Sequence, residues 1–254
     1  MGKIAALYRY PVKGLTPEPL ETATLSPGQT VPADRRYAIE NGPTGFDPAA
    51  PKYFPKARFL MLMKNERLAR LRSKYDDAHE TLTISEGGRE VARGDLRTAE
   101  GRAAIETFFT TYCADELRGP PRILNGRGHS FSDVAAKVVS IINLASVAEL
   151  ENAVGAPVDP LRFRANIYVK DWPAWREFDL VGQEIAIGPN VRGRVKKRIV
   201  RCAATNVDPA TGIRDLQIPQ TLHRTYGHDD CGIYAEIITG GTITPGQFID
   251  PVSA

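Results

Sequence analysis

The 254-residue sequence has 25% charged residues, 42% hydrophobic residues and a formal net charge of +3, values typical of an ordinary globular protein with one large domain or two of common size. So mild a charge argues against a chain built to bind polyanions over its whole surface. The three cysteines are odd in number, far apart and absent from any CxxC pair, which argues against a disulfide framework and structural zinc and fits a reducing compartment.

The first fourteen residues show no pattern of targeting or membrane insertion. Arg9 and Pro11 interrupt them before an apolar core of signal-peptide length can form. Further along, no run approaches the length that spans a membrane. We therefore expect a cytoplasmic protein that acts without a membrane.

In the first half, apolar periodicity and turn residues predict short strands, one hairpin and one short helix. In chain order these are a strand from Lys3 to Tyr10, a strand from Asp34 to Glu40, a short helix from Asn65 to Tyr75, and a hairpin that joins residues 81–84 to residues 90–92. Glycine and proline dominate residues 41–55, which indicates an irregular loop.

The clearest helix is predicted from Glu100 to Leu117. Its apolar side chains recur at helical spacing until a Gly-Pro-Pro sequence at residues 119–121 ends the pattern. Cys113 lies near that apolar stripe, which favours a core position for its thiol.

The remainder of the chain is predicted to be rich in strands. A continuous apolar run, Val138–Leu144, indicates a buried strand, and Ser146 with Glu149 then forms the pattern of a capping box for a short helix that Gly155 ends. Further strands are predicted at residues 163–169, 181–188, 195–200, 233–239 and 242–248.

Many short strands and few helices predict a mainly β (α+β) protein built from one or two small β-barrels. The least ordered composition between the halves lies at Arg118–Gly128. We therefore predict a domain boundary there, with one domain at residues 1–122 and a second at residues 123–254.

A single cysteine, Cys202, follows a basic run and precedes a tight turn at Asp208–Gly212. The run contains no acidic residue, and its members are Arg192, Arg194, Lys196, Lys197, Arg198 and Arg201. Positive charge favours the thiolate, which attacks electrophiles and binds soft metals. In a regular strand the thiol would share a face with Arg198 and Val200. The alternative is a buried structural thiol on an edge strand whose basic side chains face water, and spacing alone leaves the two close to even.

These residues also resemble a known family. The segment from Cys202 to Gly212, CAATNVDPATG, resembles the signature of MOSC domains, the molybdenum-cofactor sulfurase C-terminal family. Residues 240–246, GGTITPG, resemble the family's final strand. Tyr10–Lys13 and Asp34–Tyr37 resemble the opening and a strand of the MOSC N-terminal β-barrel, and residues 163–167, FRANI, resemble the family's Phe-Arg-Pro-Asn-Ile. The resemblance covers essentially the whole chain.

The resemblance implies a MOSC β-barrel preceded by a smaller N-terminal β-barrel domain. It points to the two-domain subgroup that includes the mitochondrial amidoxime-reducing components and their bacterial relatives, which use a molybdenum cofactor (Mo-molybdopterin). By motif position, Cys202 is similar to the catalytic cysteine that binds molybdenum, and Lys13, Arg35, Arg164 and Asn166 are similar to the residues that hold the cofactor's polar groups. A soft thiolate suits a metal bound by dithiolene sulfurs, and lysine and arginine suit a phosphate.

Each cofactor-binding residue also has a structural interpretation when it is taken singly. Lys13 would be a solvated turn residue, Arg35 a surface charge on a strand, and Asn166 a partner for a neighbouring backbone group. Their joint appearance in family order favours cofactor binding.

The chain departs from the family pattern at three places. Gly14 stands where the family usually has serine, and Asn206 stands in place of the second threonine of the signature. Where relatives carry a polar stretch with hydroxyl donors, this chain has Ala135, Ala136 and Lys137. Either Lys137 replaces neutral donors with a charge, or the cofactor is held differently. These departures bear on whether the cofactor binds.

The activity that the resemblance implies is reduction of small N-oxygenated (N-hydroxylated) compounds, such as hydroxylamines or amidoximes. The sequence has no cysteine set for an iron–sulfur cluster and no flavin-binding signature, so electrons have to come from a separate ferredoxin- or cytochrome-type protein and its reductase. A second hypothesis is a sulfur carrier with a persulfide on Cys202, or a carrier that delivers the cofactor. A third, nucleic-acid binding through the basic strand, is the least favoured because the overall charge is mild.

Overall fold

The computed structural model describes residues 1–126 and 128–252. Within these residues the chain forms fifteen β-strands and four α-helices, joined by loops and 3-10 helices. The strands are β1 (Gly2–Arg9), β2 (Glu18–Leu20), β3 (Ala23–Leu25), β4 (Tyr37–Asn41), β5 (Arg72–Asp76), β6 (Thr81–Glu86), β7 (Arg89–Asp95), β8 (Pro121–Asn125), β9 (Val139–Asn143), β10 (Ile167–Lys170), β11 (Glu184–Ile187), β12 (Val191–Val200), β13 (Asp230–Thr239), β14 (Gly241–Ile243) and β15 (Phe248–Pro251). The helices are α1 (Ala99–Tyr112), α2 (Leu144–Val154), α3 (Arg176–Asp179) and α4 (Ile218–Tyr226).

Seven strands close into a barrel in the order β10-β9-β13-β12-β11-β15-β1, because β1 pairs with β10 as well as with β15. β9 and β10 run parallel, and β1 and β10 run antiparallel. β1 comes from the start of the chain, whereas the other six barrel strands follow residue 138. This closed, strand-rich architecture confirms the predicted fold class.

Branched aliphatic side chains fill the barrel because they alternate with polar ones along the strands. In β12, Val191 and Val195 are buried in the barrel core, while Arg194 and Lys196 are exposed. The pairing of β12 with β13 shifts register after Val195 and again after Arg198, as β-bulges do. The strand is therefore irregular before Cys202, and the condition for the predicted shared face is not met.

A second core lies in the N-terminal half, between the two-stranded sheet β4–β8 and the three-stranded sheet β5–β6–β7. Leu82 and Ile84 of β6 pack there with Ile105 and Phe109 of α1, and all four are fully buried. The apolar spacing that predicts α1 is thus the face that the helix buries. α1 ends at Tyr112, five residues before the predicted end, and residues 114–116 form a 3-10 turn.

The helix predicted at residues 65–75 is wrong. Residues 66–70 form a 3-10 helix, and Arg72–Asp76 is strand β5, paired with β6. Leu68 and Leu71 are both fully buried, and a spacing of three residues fits one 3-10 turn as well as an α-helix. Two apolar residues were too few to distinguish them.

Several predicted strands are also shorter than expected. The strand predicted from Asp34 begins only at Tyr37, and the strand predicted at residues 181–188 is confined to Glu184–Ile187. Residues 160–163 form a 3-10 helix capped by Asp159, so β10 begins only at Ile167. The strand predicted at residues 242–248 is divided into β14, which pairs with β3, and β15, which pairs with β11 and β1. Gly246, at a φ of 91°, turns the chain between them.

The capping box predicted at Ser146 is wrong as well, although the helix and its end at Gly155 are confirmed. α2 begins earlier, and the side chain of Asn143 accepts the capping hydrogen bond from the N–H of Ala145 at 3.0 Å. Ser146 is buried instead and donates to a carboxylate oxygen of Glu177 at 2.9 Å.

The division of the chain at residue 122 stays a prediction. Strands from both sides of this position pair with each other, since β1 closes the C-terminal barrel and β3 pairs with β14. β8 begins at Pro121 and pairs with β4.

Candidate functional site

The five predicted site residues line one cavity between the barrel and the N-terminal half. The cavity has a volume of about 330 Å³, and Lys13, Arg35, Arg164, Asn166 and Cys202 all lie on its wall. Lys13 and Arg35 come from the chain between β1 and β4, Arg164 and Asn166 precede β10, and Cys202 follows β12. Residues far apart in the sequence thus meet in one place.

Cys202 sits where β12 gives way to a 3-10 helix at residues 203–206. The N–H and the hydroxyl of Thr205 both donate to the Cys202 carbonyl, at 3.0 and 2.9 Å. The thiol is half-buried and free of any disulfide. Downstream, the carboxylate of Asp208 accepts hydrogen bonds from Ala210 and Thr211, which builds the predicted turn. The thiol is therefore held at the cavity by fixed backbone on its C-terminal side.

The cation that touches the thiol is Lys56, which the sequence did not single out. Its Nζ lies 3.1 Å from Cys202 Sγ, although the two residues are 146 positions apart. Lys56 begins a short 3-10 helix after the proline-rich loop. Burial lowers its pKa, but Asp133 and Cys202 more than compensate and hold that pKa above its usual value. Only the folded chain brings this lysine to the thiol, so no sequence spacing reveals it.

Lys13 is 5% exposed and is held by two oxygen atoms. Its ammonium group donates to the carbonyl of Phe131 at 2.9 Å and to a carboxylate oxygen of Asp133. Burial lowers the pKa of Lys13, an effect that Asp133 opposes. Burial would raise the pKa of Asp133, yet the ammonium groups of Lys13 and Lys56 lower it well below its usual range. Lys13 is therefore a buried, ion-paired group and not a solvated turn residue.

Arg35 and Arg164 are coupled through the backbone. Arg35 pairs with the buried carboxylate of Asp34 at 2.6 Å and donates to the carbonyl of Arg164 at 2.8 Å. Both arginines have left-handed backbones, with φ of 49° and 52°, a conformation rare for residues with a side chain. Each guanidinium carbon lies 4.3 Å from the centre of the Tyr10 ring, within range of a cation–π interaction.

Arg164 differs from Arg35 because no carboxylate pairs with it in the part of the chain that the structure describes. Burial lowers the pKa of Arg164 to about 10, and the charge of Arg35 adds to the effect. Arg164 therefore still carries its charge at neutral pH. Half-buried and without a carboxylate partner among the described residues, it is suited to an anionic ligand.

Asn166 lines the cavity, but its described hydrogen bonds go to the protein. Its carbonyl oxygen accepts from the hydroxyl of Ser140 at 2.8 Å, and its amide donates to the Tyr8 carbonyl at 3.2 Å. These contacts join β9 to the segment around β1 at a residue that is 2% exposed. A cofactor contact of Asn166 stays a prediction beside this structural role.

Two further arginines fix the backbone around Cys202. Arg201 donates to the carbonyls of Cys231 at 2.7 Å and Phe163 at 3.0 Å, and its buried Nη2 has no hydrogen-bond partner among the described residues. Arg162 is buried and pairs with Asp208 and Asp215 beyond the cysteine. Arg201 was identified only as a member of the basic run, and Arg162 was not identified at all.

The basic run supplies only part of the positive charge near the thiol. Arg194 and Lys196 point away on exposed positions and pair with Glu184 and Glu236 of neighbouring strands. Arg198 lies 4.2 Å from the centre of the Phe178 ring. Sequence neighbours supply part of the positive wall, but the direct contact to sulfur comes from the N-terminal half.

The family departures have distinct structural explanations. Gly14 lines the cavity with a φ of 86°, and a Cβ there would lie 2.9 Å from the Leu60 carbonyl oxygen. Asn206 is buried and accepts from the N–H of Ile218 at 2.8 Å, at the start of α4. Lys137 donates to Gln29 at 2.8 Å and does not line this cavity, so the alternative in which its charge replaces hydroxyl donors is wrong. The alternative in which the cofactor is held differently stays a prediction. Ser132 and Asp133 lie on the wall instead.

The wall as a whole is positive. Among the described residues, it carries two carboxylates, those of Asp34 and Asp133. The cationic side chains that the structure describes on it are eight, namely Lys13, Arg35, Lys56, Arg162, Arg164, Lys197, Arg198 and Arg201. Met61, Leu62 and Val134 add apolar surface. A cavity with more cations than carboxylates on its wall and one accessible thiol can bind an anionic group and offer sulfur to a metal or an electrophile.

Comparisons with known proteins agree with the resemblance. Residues 126–250 match the family model of the MOSC domain, and residues 1–116 match that of the MOSC N-terminal beta barrel domain. Similar solved structures include the YuaD protein from Bacillus subtilis, at 14% identity and a TM-score of 0.45 over 98% of this chain and 94% of that one. Another is YiiM from Geobacillus stearothermophilus, at 19% identity and a TM-score of 0.36 over 45% of this chain and 54% of that one. No curated protein matches the chain closely enough to count as a relative.

Among the residues that the structure describes, no helix combines the length and the apolar character needed to cross a membrane. In the same residues, no group of three or more His, Cys, Asp or Glu side chains is arranged to hold a metal ion.

Proposed function

This chain belongs to the MOSC-domain family and carries the family's N-terminal β-barrel domain, and from that premise we propose that it is an oxidoreductase with a molybdenum–pterin cofactor. Its substrates are small N-oxygenated compounds, and a separate protein supplies the electrons. Cys202 is the protein's ligand to molybdenum in this proposal. Lys13, Arg35, Arg164 and Asn166 hold the polar groups of the pterin.

The observation that carries the proposal is the convergence of these five residues on one cavity. The cations of its wall outnumber the carboxylates, and Arg164 has no carboxylate partner among the described residues. The buried Nη2 of Arg201 lacks a partner in the same part of the chain. A phosphate-bearing ligand would satisfy such groups, because buried cations without a counter-ion are costly.

The donor set fits the group on the metal side too. When bound, the cofactor supplies a redox-active molybdenum atom that already has two dithiolene sulfur ligands, so a single soft protein ligand suffices. Cys202 offers that ligand from a fixed backbone, and Lys56 stands beside it. The half-buried position of the thiol allows the metal contact while limiting access of water.

Metal and pterin contents, measured after expression in a host that makes the cofactor, test this proposal. We expect wild type to carry both, Cys202→Ser to lose molybdenum and keep pterin, and Arg164→Ala to lose both, because the cysteine holds the metal and the arginine the phosphate. Wild-type protein without metal and pterin would overturn the proposal.

A second experiment tests the substrate class. Protein that carries the cofactor should reduce an amidoxime when a chemical electron donor is supplied, and failure with every N-hydroxylated compound would remove that substrate class.

A sulfur carrier is the second candidate, and the contact of Lys56 with the Cys202 sulfur favours it. An ammonium group at 3.1 Å would also support the negative charge of a persulfide. The two candidates differ in what wild-type protein contains. Sulfane sulfur on Cys202 without molybdenum would support the carrier, whereas molybdenum with pterin supports the oxidoreductase.

A further inference from the structure

Lys56 donates a hydrogen bond to the sulfur of Cys202, and it shares its neighbouring carboxylate with a second lysine. The ammonium lies 3.1 Å from Sγ and 3.6 Å from a carboxylate oxygen of Asp133. The same carboxylate is paired with Lys13. One carboxylate therefore serves two ammonium groups, which leaves an excess positive charge beside the thiol.

The position of Lys56 is set by packing. It follows Pro55 and begins the 3-10 helix at residues 56–58. On one side of it, Phe54 and Phe46 lie with ring centres 6.2 Å apart, and on the other Phe59 packs edge-on against Phe131 at 5.4 Å. Phe46 also packs on Phe131 at 5.1 Å. An aromatic cluster at both ends thus anchors the segment that presents the lysine.

We propose that Lys56 is a positioning residue that gives the Cys202 sulfur a preference for anionic partners. A negatively charged group that approaches the sulfur meets the ammonium within the same contact shell, whereas a neutral group gains nothing from it. The inference deepens the proposed function by naming the charge class that the site accepts at the sulfur. It rests on the proposed function in one respect only, which is that the sulfur of Cys202 is the atom that binds or reacts.

The preference is measurable on full-length protein without cofactor, using two disulfide reagents at one pH. Dithiobis(nitrobenzoate) carries two carboxylates, and dithiodipyridine is neutral. With each, the Cys202 thiolate forms a mixed disulfide and displaces one aryl thiolate, whose absorbance reports the rate. The ratio of the two rate constants cancels the fraction of thiolate. It therefore reports the charge beside the sulfur.

We expect Lys56→Met to lower the ratio of anionic to neutral rates about tenfold, the effect of a lost charge-assisted contact of about 1.4 kcal/mol. Lys56→Arg should keep most of the ratio because the charge stays. Lys52→Met is the matched control, since Lys52 is an exposed lysine of the preceding loop and its ammonium lies over the Phe54 ring. The rate ratio of this variant should equal that of wild type. Cys202→Ala gives the background of the buried cysteines.

An unchanged ratio in Lys56→Met, with an unfolding midpoint like that of wild type, would overturn the inference. A merely structural role for Lys56 would shift the midpoint and leave the ratio alone. Because the rates are taken without metal, they stand whatever the molybdenum content of wild type proves to be. Failure of the proposed function and failure of this inference are therefore separate results.

Discussion

Arg35 and Arg164 hold left-handed backbones at the cavity, with φ of 49° and 52°. Such conformations cost on the order of 1 kcal/mol or more for a residue with a side chain, and they persist where the surrounding structure fixes them. Here the fixing contacts are the Asp34 ion pair and the bond from Arg35 to the Arg164 carbonyl. Both strained residues lie on the wall of one cavity, so the strained backbone coincides with the proposed anion site.

Gly14 is the residue at which a return to the family's usual serine should do harm. Its φ of 86° disfavours any side chain, and a Cβ would lie 2.9 Å from the Leu60 carbonyl oxygen. We expect Gly14→Ser to lower the free energy of unfolding by about 2–3 kcal/mol through strain and collision. Urea unfolding followed by fluorescence measures this loss.

Gly28→Ser is the control for that prediction. Gly28 also has a positive φ, 63°, but a Cβ there would meet nothing within 4 Å. It should cost only about 1 kcal/mol, the price of the backbone conformation alone. Equal losses in the two variants would show that the Leu60 contact has no effect.

At the residue scale, sequence motifs singled out five residues that the folded chain brings to one cavity wall, and the roles of these residues stay predictions. Lys56 follows a glycine- and proline-rich loop and belongs to no motif, so nothing in the sequence distinguishes it from Lys52. Its importance comes from a contact made across 146 positions.

At the scale of elements, a buried carboxylate joins β9, α2 and α3. Glu177 is 0% exposed, and one of its oxygens accepts from the amide of Asn143 and the hydroxyl of Ser146, each at 2.9 Å. No cation pairs with it in the described residues. Burial without a counter-ion raises the pKa of Glu177.

That raised pKa predicts how stability changes with pH. The folded state favours the neutral acid. The stabilisation that protonated Glu177 contributes is therefore fully present below the unfolded pKa of about 4.3, and it is lost as pH rises through the higher folded pKa. Glu177→Gln cannot ionise and should raise the free energy of unfolding at pH 8 by on the order of 1 kcal/mol, with little gain at pH 4. Chemical unfolding at both pH values measures this difference.

Ser146→Ala serves as the comparison for Glu177→Gln, since it removes a donor to the same carboxylate. It should destabilise at both pH values and most at high pH, where the carboxylate is charged. A Glu177→Gln variant whose stability follows the wild-type pH curve would contradict the assigned cause.

Local patterns predicted elements well where one face is buried along a regular stretch. α1 and the β6–β7 hairpin illustrate this, with their apolar spacing and their paired glycines at positive φ. Prediction failed where two or three residues decide the outcome, as at residues 65–75 and 242–248. α4 was missed, although the proline near its start and Gly227 after its end are standard boundary signals.

At the scale of the whole molecule, β1 makes the two halves interdependent. It supplies the seventh strand of a barrel whose other strands all follow residue 138. Without it, β10 and β15 would each expose a strand edge, with unpaired backbone groups and uncovered core. The C-terminal half is therefore incomplete as a folding unit by itself.

A fragment of residues 123–254 should accordingly lack a cooperative unfolding transition in calorimetry. Co-expression with residues 1–122 restores all the barrel strands and should restore both the transition and a stable complex. A sharp transition in the lone C-terminal fragment would show that β1 is dispensable for closing the barrel.

The pairing of Gly2 with Ile249 also sets an order of events during protein synthesis. Strand β1 is synthesised long before strand β15 and must wait for it before the barrel can close. Contacts so distant in sequence fold slowly, because a long loop must be closed before they form. The N-terminal core, whose strands lie between residues 37 and 125, can form earlier. We therefore expect the thiol pocket to mature only after β15 has been synthesised.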